Sequence, residues 1–199
     1  MGVKKSNELT LRIKGDIESF IKNLENNGFE KGETFTLDDY YYIPSNLNID
    51  NLSTREIIAK AIIVRNVTDI SPVYEEKHKM TFKKKVFGPS GEILSQEAAY
   101  MSIKDDKEAF KFLEALDYKL LVHIFEDDVV YKKDNFEFAI KNIKNGYKLI
   151  EVETEEGNET CDTIEKIEES LKKYNVQVDF SDLYVKKVEI ETNKVLGRN

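Results

Sequence analysis

The sequence predicts an α+β fold: a closed or nearly closed antiparallel barrel, made of two similar halves, with helices packed outside. Three observations carry that expectation. From Asn7 to Gly15 the apolar Leu9, Leu11 and Ile13 alternate with Glu8, Thr10, Arg12 and Lys14, the period of a strand with one oily and one ionic face. The chain then repeats itself at an offset of 89: Glu8 maps onto Glu97, Asp16 onto Asp105, Leu24 onto Leu113 and Phe29 onto Tyr118, while Asp38, Asp39 and Tyr42 map onto Asp127, Asp128 and Tyr131. Solenoid units run about 20 to 50 residues, so this longer period marks two halves of a single domain covering residues 1–199. Short polar connections in the second half favour antiparallel hairpins. If the halves face each other, their ionic strand faces line one shared interior, and an interior of that kind implies a ligand because unpaired buried charge is costly.

Taken in order, the first strand is followed by a helix on the stripe Ile17, Phe20, Ile21 and Leu24, with Asp16 as N-cap and Gly28 as stop. Thr34 to Ile43 reads as a tyrosine-rich strand ended by Pro44, and a polar loop follows it. Glu56 to Val67 is apolar enough for a buried strand, and Lys77 to Phe87 is the next, closed by the turn Gly88 to Gly91. The second half opens with a strand at Gln96 to Ile103, and Asp105 with Glu108 resembles a capping box. Ala109, Phe110, Leu113 and Leu116 form the helix stripe. Strands are expected at Lys119 to Val130, Asn135 to Ile143 and Tyr147 to Thr154, then a helix on Ile164, Ile167 and Leu171, with Leu183 to Ile190 a last strand or an extended tail.

Composition narrows the classes. Charged residues make up 34% of the 199 and the net charge is -8, so the surface as a whole repels nucleic acid and anionic membranes. No apolar run approaches the roughly 20 residues of a membrane span. The single cysteine, Cys161, excludes an internal disulfide and fits a reducing compartment, so a cytoplasmic protein is expected. His78 and His123 belong to no His/Cys cluster, so no zinc site is visible.

The residues that can carry chemistry are ionic and lie on strands. Glu151 and Glu153 share one side of a strand about 7 Å apart, and such carboxylates suit Mg²⁺ or Mn²⁺. Lys83 and Lys85 share a face, and Arg65 ends an apolar strand. Cations and carboxylates converging on one interior suit a metal-bound triphosphate, whose transfer chemistry is mostly positioning and charge neutralisation. No P-loop or G-x-G-x-x-G signature is present, so a phosphate site at a helix N-terminus is not expected.

Several of these residues resemble landmarks of the CYTH superfamily, the triphosphate-tunnel proteins that include class IV adenylyl cyclases, thiamine triphosphatases and inorganic triphosphatases. Glu8 to Arg12 lies where the family has E-x-E-x-K, and Asn27-Gly28-Phe29, Asp39 to Tyr42, Glu151 to Glu153 and Ser181 to Tyr184 are similar to later landmarks. The resemblance covers nearly the whole chain and implies an eight-stranded antiparallel barrel, the triphosphate tunnel. It implies Glu8, Arg12 and Lys83 as catalytic. Arg12, Lys14, Arg65, Lys83 and Lys85 would bind substrate, and Glu8, Glu97, Glu151 and Glu153 would hold Mg²⁺ or Mn²⁺. The chain also departs from the family. Thr10 and Arg12 replace the second glutamate and the lysine of the motif, Glu126 and Asp128 stand where a lysine and an arginine are usual, and Lys141 stands where an aspartate is usual. Two functions follow as expectations. One is a metal-dependent phosphohydrolase or adenylyl cyclase-like protein acting on a triphosphate-containing small molecule; the alternative is a catalytically degenerate domain that binds a phosphorylated ligand or a protein.

Overall fold

A computed structural model describes residues 8–87, 93–153, 163–181 and 186–198. The elements are β1 (Glu8–Ile13), α1 (Ile17–Asn26), β2 (Glu30–Pro44), α2 (Thr54–Ile58), β3 (Ile62–Ser71), β4 (Glu75–Phe87), β5 (Ile93–Ser102), α3 (Asp106–Ala115), β6 (Tyr118–Lys133), β7 (Phe136–Ile143), β8 (Lys148–Glu153), α4 (Ile164–Lys173), β9 (Val178–Asp179) and α5 (Lys187–Leu196). The strands form one sheet in the order β5-β4-β3-β2-β6-β7-β8-β1-β9, and every ladder is antiparallel.

Alternation along the strands sorts side chains between the two faces of the sheet. On the outer face, Leu9 and Leu11 of β1 are fully buried with Phe20 and Leu24 of α1 and Ile167 and Leu171 of α4. Each such side chain contributes about 1.5–3 kcal/mol on leaving water. A second outer cluster sets Ala109 and Leu113 of α3 against Tyr42 and Val64. The inner face is apolar only towards one end, where Tyr41, Ile43, Ile63, Ile143 and Leu149 pack beneath Ile57 of α2 and Val188, Ile190 and Leu196 of α5. Elsewhere it is ionic, so the oily face of the first strand turns outward to the helices and its ionic face turns in.

The two halves are built alike. Helices α1 and α3 begin and end at positions 89 apart. Asp16 accepts from the Ser19 N–H at 2.8 Å, and its counterpart Asp105 accepts from the Glu108 N–H at 2.9 Å. Gly28 after α1 has φ 80, and Asp117, at the equivalent place after α3, has φ 58. Each turns the chain into its next strand, β2 or β6, and these two long strands pair with each other at the middle of the sheet.

Several expectations are corrected. Among the described residues the sheet has nine strands rather than eight, because the two-residue β9 pairs with β1. Among the described residues no ladder joins β5 to β9, so the sheet curls without hydrogen-bonded closure. The segment expected as one strand from Glu56 to Val67 is divided: Ser53 and Glu56 form a reciprocal capping box that starts α2, and β3 begins only at Ile62. Residues 187–190, expected as strand or tail, open α5, whose Val188, Ile190 and Leu196 find an apolar surface to cover. The turn at Gly88 to Gly91 lies outside the described residues. None of the helices, among the described residues, is long and apolar enough to cross a membrane.

Candidate functional site

The curl of the sheet brings distant strands onto one cavity of about 130 Å³. Lys83 and Lys85 from β4 line it together with Thr10 from β1 and Glu151 from β8, although four strands separate β4 from β8 in the sheet order. The first turn of α5 and the end of α2 complete the wall. Seven cationic side chains line the cavity, Arg55, Arg65, Lys83, Lys85, Lys141, Lys186 and Lys187, against the two carboxylates of Glu151 and Glu189. The N-cap residue Lys186 makes no side-chain cap hydrogen bond, so the start of α5 adds a favourable end of the helix dipole for an anion. No sequence motif announced this helix start.

Beneath the cavity lie two buried ion networks. In the first, Arg65 Nε and Nη2 donate to the two oxygens of Asp39 at 2.5 and 2.6 Å, and Lys187 Nζ reaches the same carboxylate at 3.1 Å. Asp39 is fully buried. Burial by itself would raise its pKa, but the charges of Lys187 and Arg65 outweigh that and hold the carboxyl well below the usual range. In the second network, Lys141 Nζ lies 3.0 Å from Asp128 Oδ2, 3.1 Å from Glu151 Oε1 and 3.6 Å from Glu126 Oε1. Lys187 also pairs with Glu126 and so ties the networks together. Asp128 is pushed up to about 7, first by burial and then by Glu126, with Lys141 opposing. Burial favours neutral Lys141, yet Glu151, Glu126 and Asp128 raise its pKa well above the ordinary value, so it remains an ammonium. Glu126 Oε2 and Asp128 Oδ1 are buried without a hydrogen-bond partner among the described residues. Such oxygens are tolerable when one carboxyl carries a proton.

The structure gathers only some of the residues expected at the site. Arg65, Lys83 and Lys85 line the cavity. Arg12 does not line it. The residue points inward, but it lies two positions beyond Thr10, and its guanidinium lies over the Tyr147 ring at 4.2 Å. Lys14 falls past the end of β1 and is exposed. Glu97 is exposed opposite Lys84, the lysine on the face away from Lys83 and Lys85, so strand parity turns it away from the interior. Glu151 lines the cavity, but Lys141 already pairs with its carboxylate. Glu8 and Glu153 are cross-strand partners on β1 and β8, and their side chains lie outside the described residues. Among the described residues no three His, Cys, Asp or Glu side chains are placed to hold a metal ion. The described carboxylates that converge, Glu126, Asp128 and Glu151, enclose the Lys141 ammonium.

Sequence reasoning missed Lys187 and Arg55; it noted Asp39 as a repeat position and part of a family landmark but gave it no role, and it noted Glu126, Asp128 and Lys141 as departures. The signal was present in part. Lys141 and Asp128 are direct cross-strand partners, so the two reversals of charge compensate each other.

No protein-family model matches the chain, and no curated protein matches its sequence. Solved structures do match. A protein from Pyrococcus horikoshii superposes with TM-score 0.65 at 16% identity, covering 95% of this chain and 99% of its own. An adenylyl cyclase, so named provisionally, from Hippeastrum and described as having a dominant triphosphatase activity gives 0.62 at 13% identity, covering 98% and 97%. A protein from Vibrio parahaemolyticus provisionally named an adenylate cyclase gives 0.57 at 13%, covering 99% of each chain. With the curled antiparallel sheet, the outer helices and the ionic interior, these likenesses identify the fold as the CYTH-like triphosphate-tunnel fold.

Proposed function

We propose that this protein binds a triphosphate-containing small molecule in the cavity between the inner face of the sheet, the end of α2 and the start of α5. The observation that carries this reading is the cavity wall, where seven cationic side chains outnumber the carboxylates of Glu151 and Glu189 on the wall and of Asp39, Glu126 and Asp128 beneath it, in a protein of net charge -8. A local excess of positive charge inside an acidic molecule selects polyanions small enough to enter, and it excludes nucleic acid, which the outer surface repels. The networks below hold Arg65, Lys141 and Lys187 in place, so little side-chain entropy is lost when phosphate oxygens meet them. What supports binding without catalysis is Lys141, whose ammonium sits among the carboxylates of Asp128, Glu151 and Glu126.

The second reading is a Mg²⁺- or Mn²⁺-dependent triphosphatase or class IV adenylyl cyclase-like enzyme. It draws on the activity described for the Hippeastrum protein and on the pairing of Glu8 with Glu153 across β1 and β8. One experiment separates the two. ATP, thiamine triphosphate and tripolyphosphate are tested for a rise in melting temperature and, with Mg²⁺ and Mn²⁺, for release of phosphate or formation of cyclic nucleotide. A thermal shift that Arg65→Ala and Lys83→Ala each weaken, without turnover, supports the binding domain. Turnover abolished by Glu153→Gln establishes the enzyme. No shift with any triphosphate at concentrations well above a useful Kd removes both.

A further inference from the structure

Three carboxylates of the interior converge on a single nitrogen. Lys141, on β7, extends its side chain along the inner face until its Nζ lies 3.0 Å from Asp128, 3.1 Å from Glu151 and 3.6 Å from Glu126. The exposure of these side chains is 6% for Lys141, 0% for Asp128 and Glu126, and 18% for Glu151, so water screens the arrangement little. An ammonium is a compact point charge with three donors. Here it donates a hydrogen bond to Asp128 and forms ion pairs with Glu151 and Glu126, and these are the hard oxygens that a divalent cation would also seek.

A divalent ion cannot share this position. To be ligated it would have to draw the three carboxylates in to about 2.1 Å, and it would have to part the ammonium from all three of them at once. We infer that Lys141 is the built-in counter-cation of this interior, taking the place of a dissociable metal, so that the triphosphate group is bound without Mg²⁺ or Mn²⁺. This inference rests on the polyanion-binding reading above and says how that cavity manages charge. Lys141 also lines the cavity, so its charge serves the carboxylates below and the ligand above. Because Mg²⁺ complexes triphosphate in solution, it competes with the cavity's cations for the same oxygens and so weakens binding.

The test is calorimetric titration of the full chain with tripolyphosphate, once in excess EDTA and once with excess Mg²⁺. The expected result is affinity in EDTA equal to or higher than in Mg²⁺. A loss of about tenfold or more in EDTA, a readily resolved difference, would overturn the inference and leave polyanion binding standing. Absence of binding under both conditions would remove the reading beneath it, and the inference with it. Lys141→Met keeps the length of the side chain and deletes the charge. It is expected to bind tripolyphosphate only when Mg²⁺ or Mn²⁺ is supplied, a metal dependence the wild type lacks; a variant that binds equally well with and without metal would refute the role given to Lys141. Should Lys141→Met fail to fold, the wild-type comparison decides alone.

Discussion

Asp39 and Asp128 stand 89 residues apart at the same place in the two halves, both buried on the inner face, yet their carboxyls are driven in opposite directions. Asp39 has two cations against it, Arg65 and a Lys187 that it shares with Glu126. Asp128 shares Lys141 with Glu126 and Glu151. Burial acts on both alike and raises both. What differs is the supply of counter-charge, which overrides burial in the first half and falls short in the second. Charge state inside this fold is therefore a property of the network and cannot be read from depth alone.

The largest effect should come from breaking the better-compensated site. Asp39→Asn leaves Arg65 and Lys187 facing each other with one anion fewer, and the expected loss is about 3–5 kcal/mol, the scale of a buried pair deprived of a partner. Asp128→Asn, which replaces a carboxyl already prone to carry a proton, should cost less than about 1 kcal/mol. Urea denaturation of both variants at neutral pH measures the difference, and equal losses would refute the contrast.

Another comparison separates the halves by packing. Leu11 of β1 is fully buried between β1 and its covering helices, whereas its counterpart Tyr100 on the edge strand β5 is 77% exposed. Leu11→Ala should cost about 2–5 kcal/mol and Tyr100→Ala no more than about 0.5, again by urea denaturation. Comparable costs would mean that β5 is covered in solution.

Dependence on pH sharpens the first comparison. The folded pKa of Asp128, about 7, lies above the ordinary 3.8, so its contribution is complete below about 3.8 and is lost as pH rises through about 7. Asp39 is shifted the other way, so its contribution is present above 3.8 and is lost as pH falls towards its depressed folded value. Between pH 5 and 8 only the first operates. Asp128→Asn should therefore flatten the fall in stability across that window, by at most about 1.4 kcal/mol per pH unit. An unchanged slope would assign the titration to another group.

The smallest effect is a control in which the halves should agree. Asp16 and Asp105 cap α1 and α3 by the same hydrogen bond, so Asp16→Ala and Asp105→Ala should each cost about 1 kcal/mol. A difference much above that would show that even this local feature depends on its surroundings.

By itself the sequence determined what is set within a few residues or by a repeating period. The alternation of Leu9 and Leu11 with Glu8, Thr10 and Arg12 specified a strand with an apolar and an ionic face. The offset of 89 specified two halves with matching caps and matching helices, and the structure adds matching left-handed turns at Gly28 and Asp117. Strand parity is a local property, so Arg65, Lys83 and Lys85 were legible as one inward set. The capping box at Ser53 was equally local, but the apolar run after it masked the break between α2 and β3.

Tertiary structure alone decided which equivalents share a fate. Glu8 and Glu97 occupy matched positions, but Glu8 pairs with Glu153 of β8, whereas Glu97 lies on the edge strand β5 opposite the outward-facing Lys84 and faces solvent. Lys187 joins Asp39 and Glu126 from across most of the chain, since α5 folds back over the inner face. Lys141 draws Asp128 and Glu151 together only because β6, β7 and β8 lie side by side in that register. The physical reason is that secondary structure is chosen by short-range sterics and hydrogen bonding, whereas the charge of a buried site is a sum over neighbours that the sequence places far apart and only the curl of the sheet brings within a few ångströms.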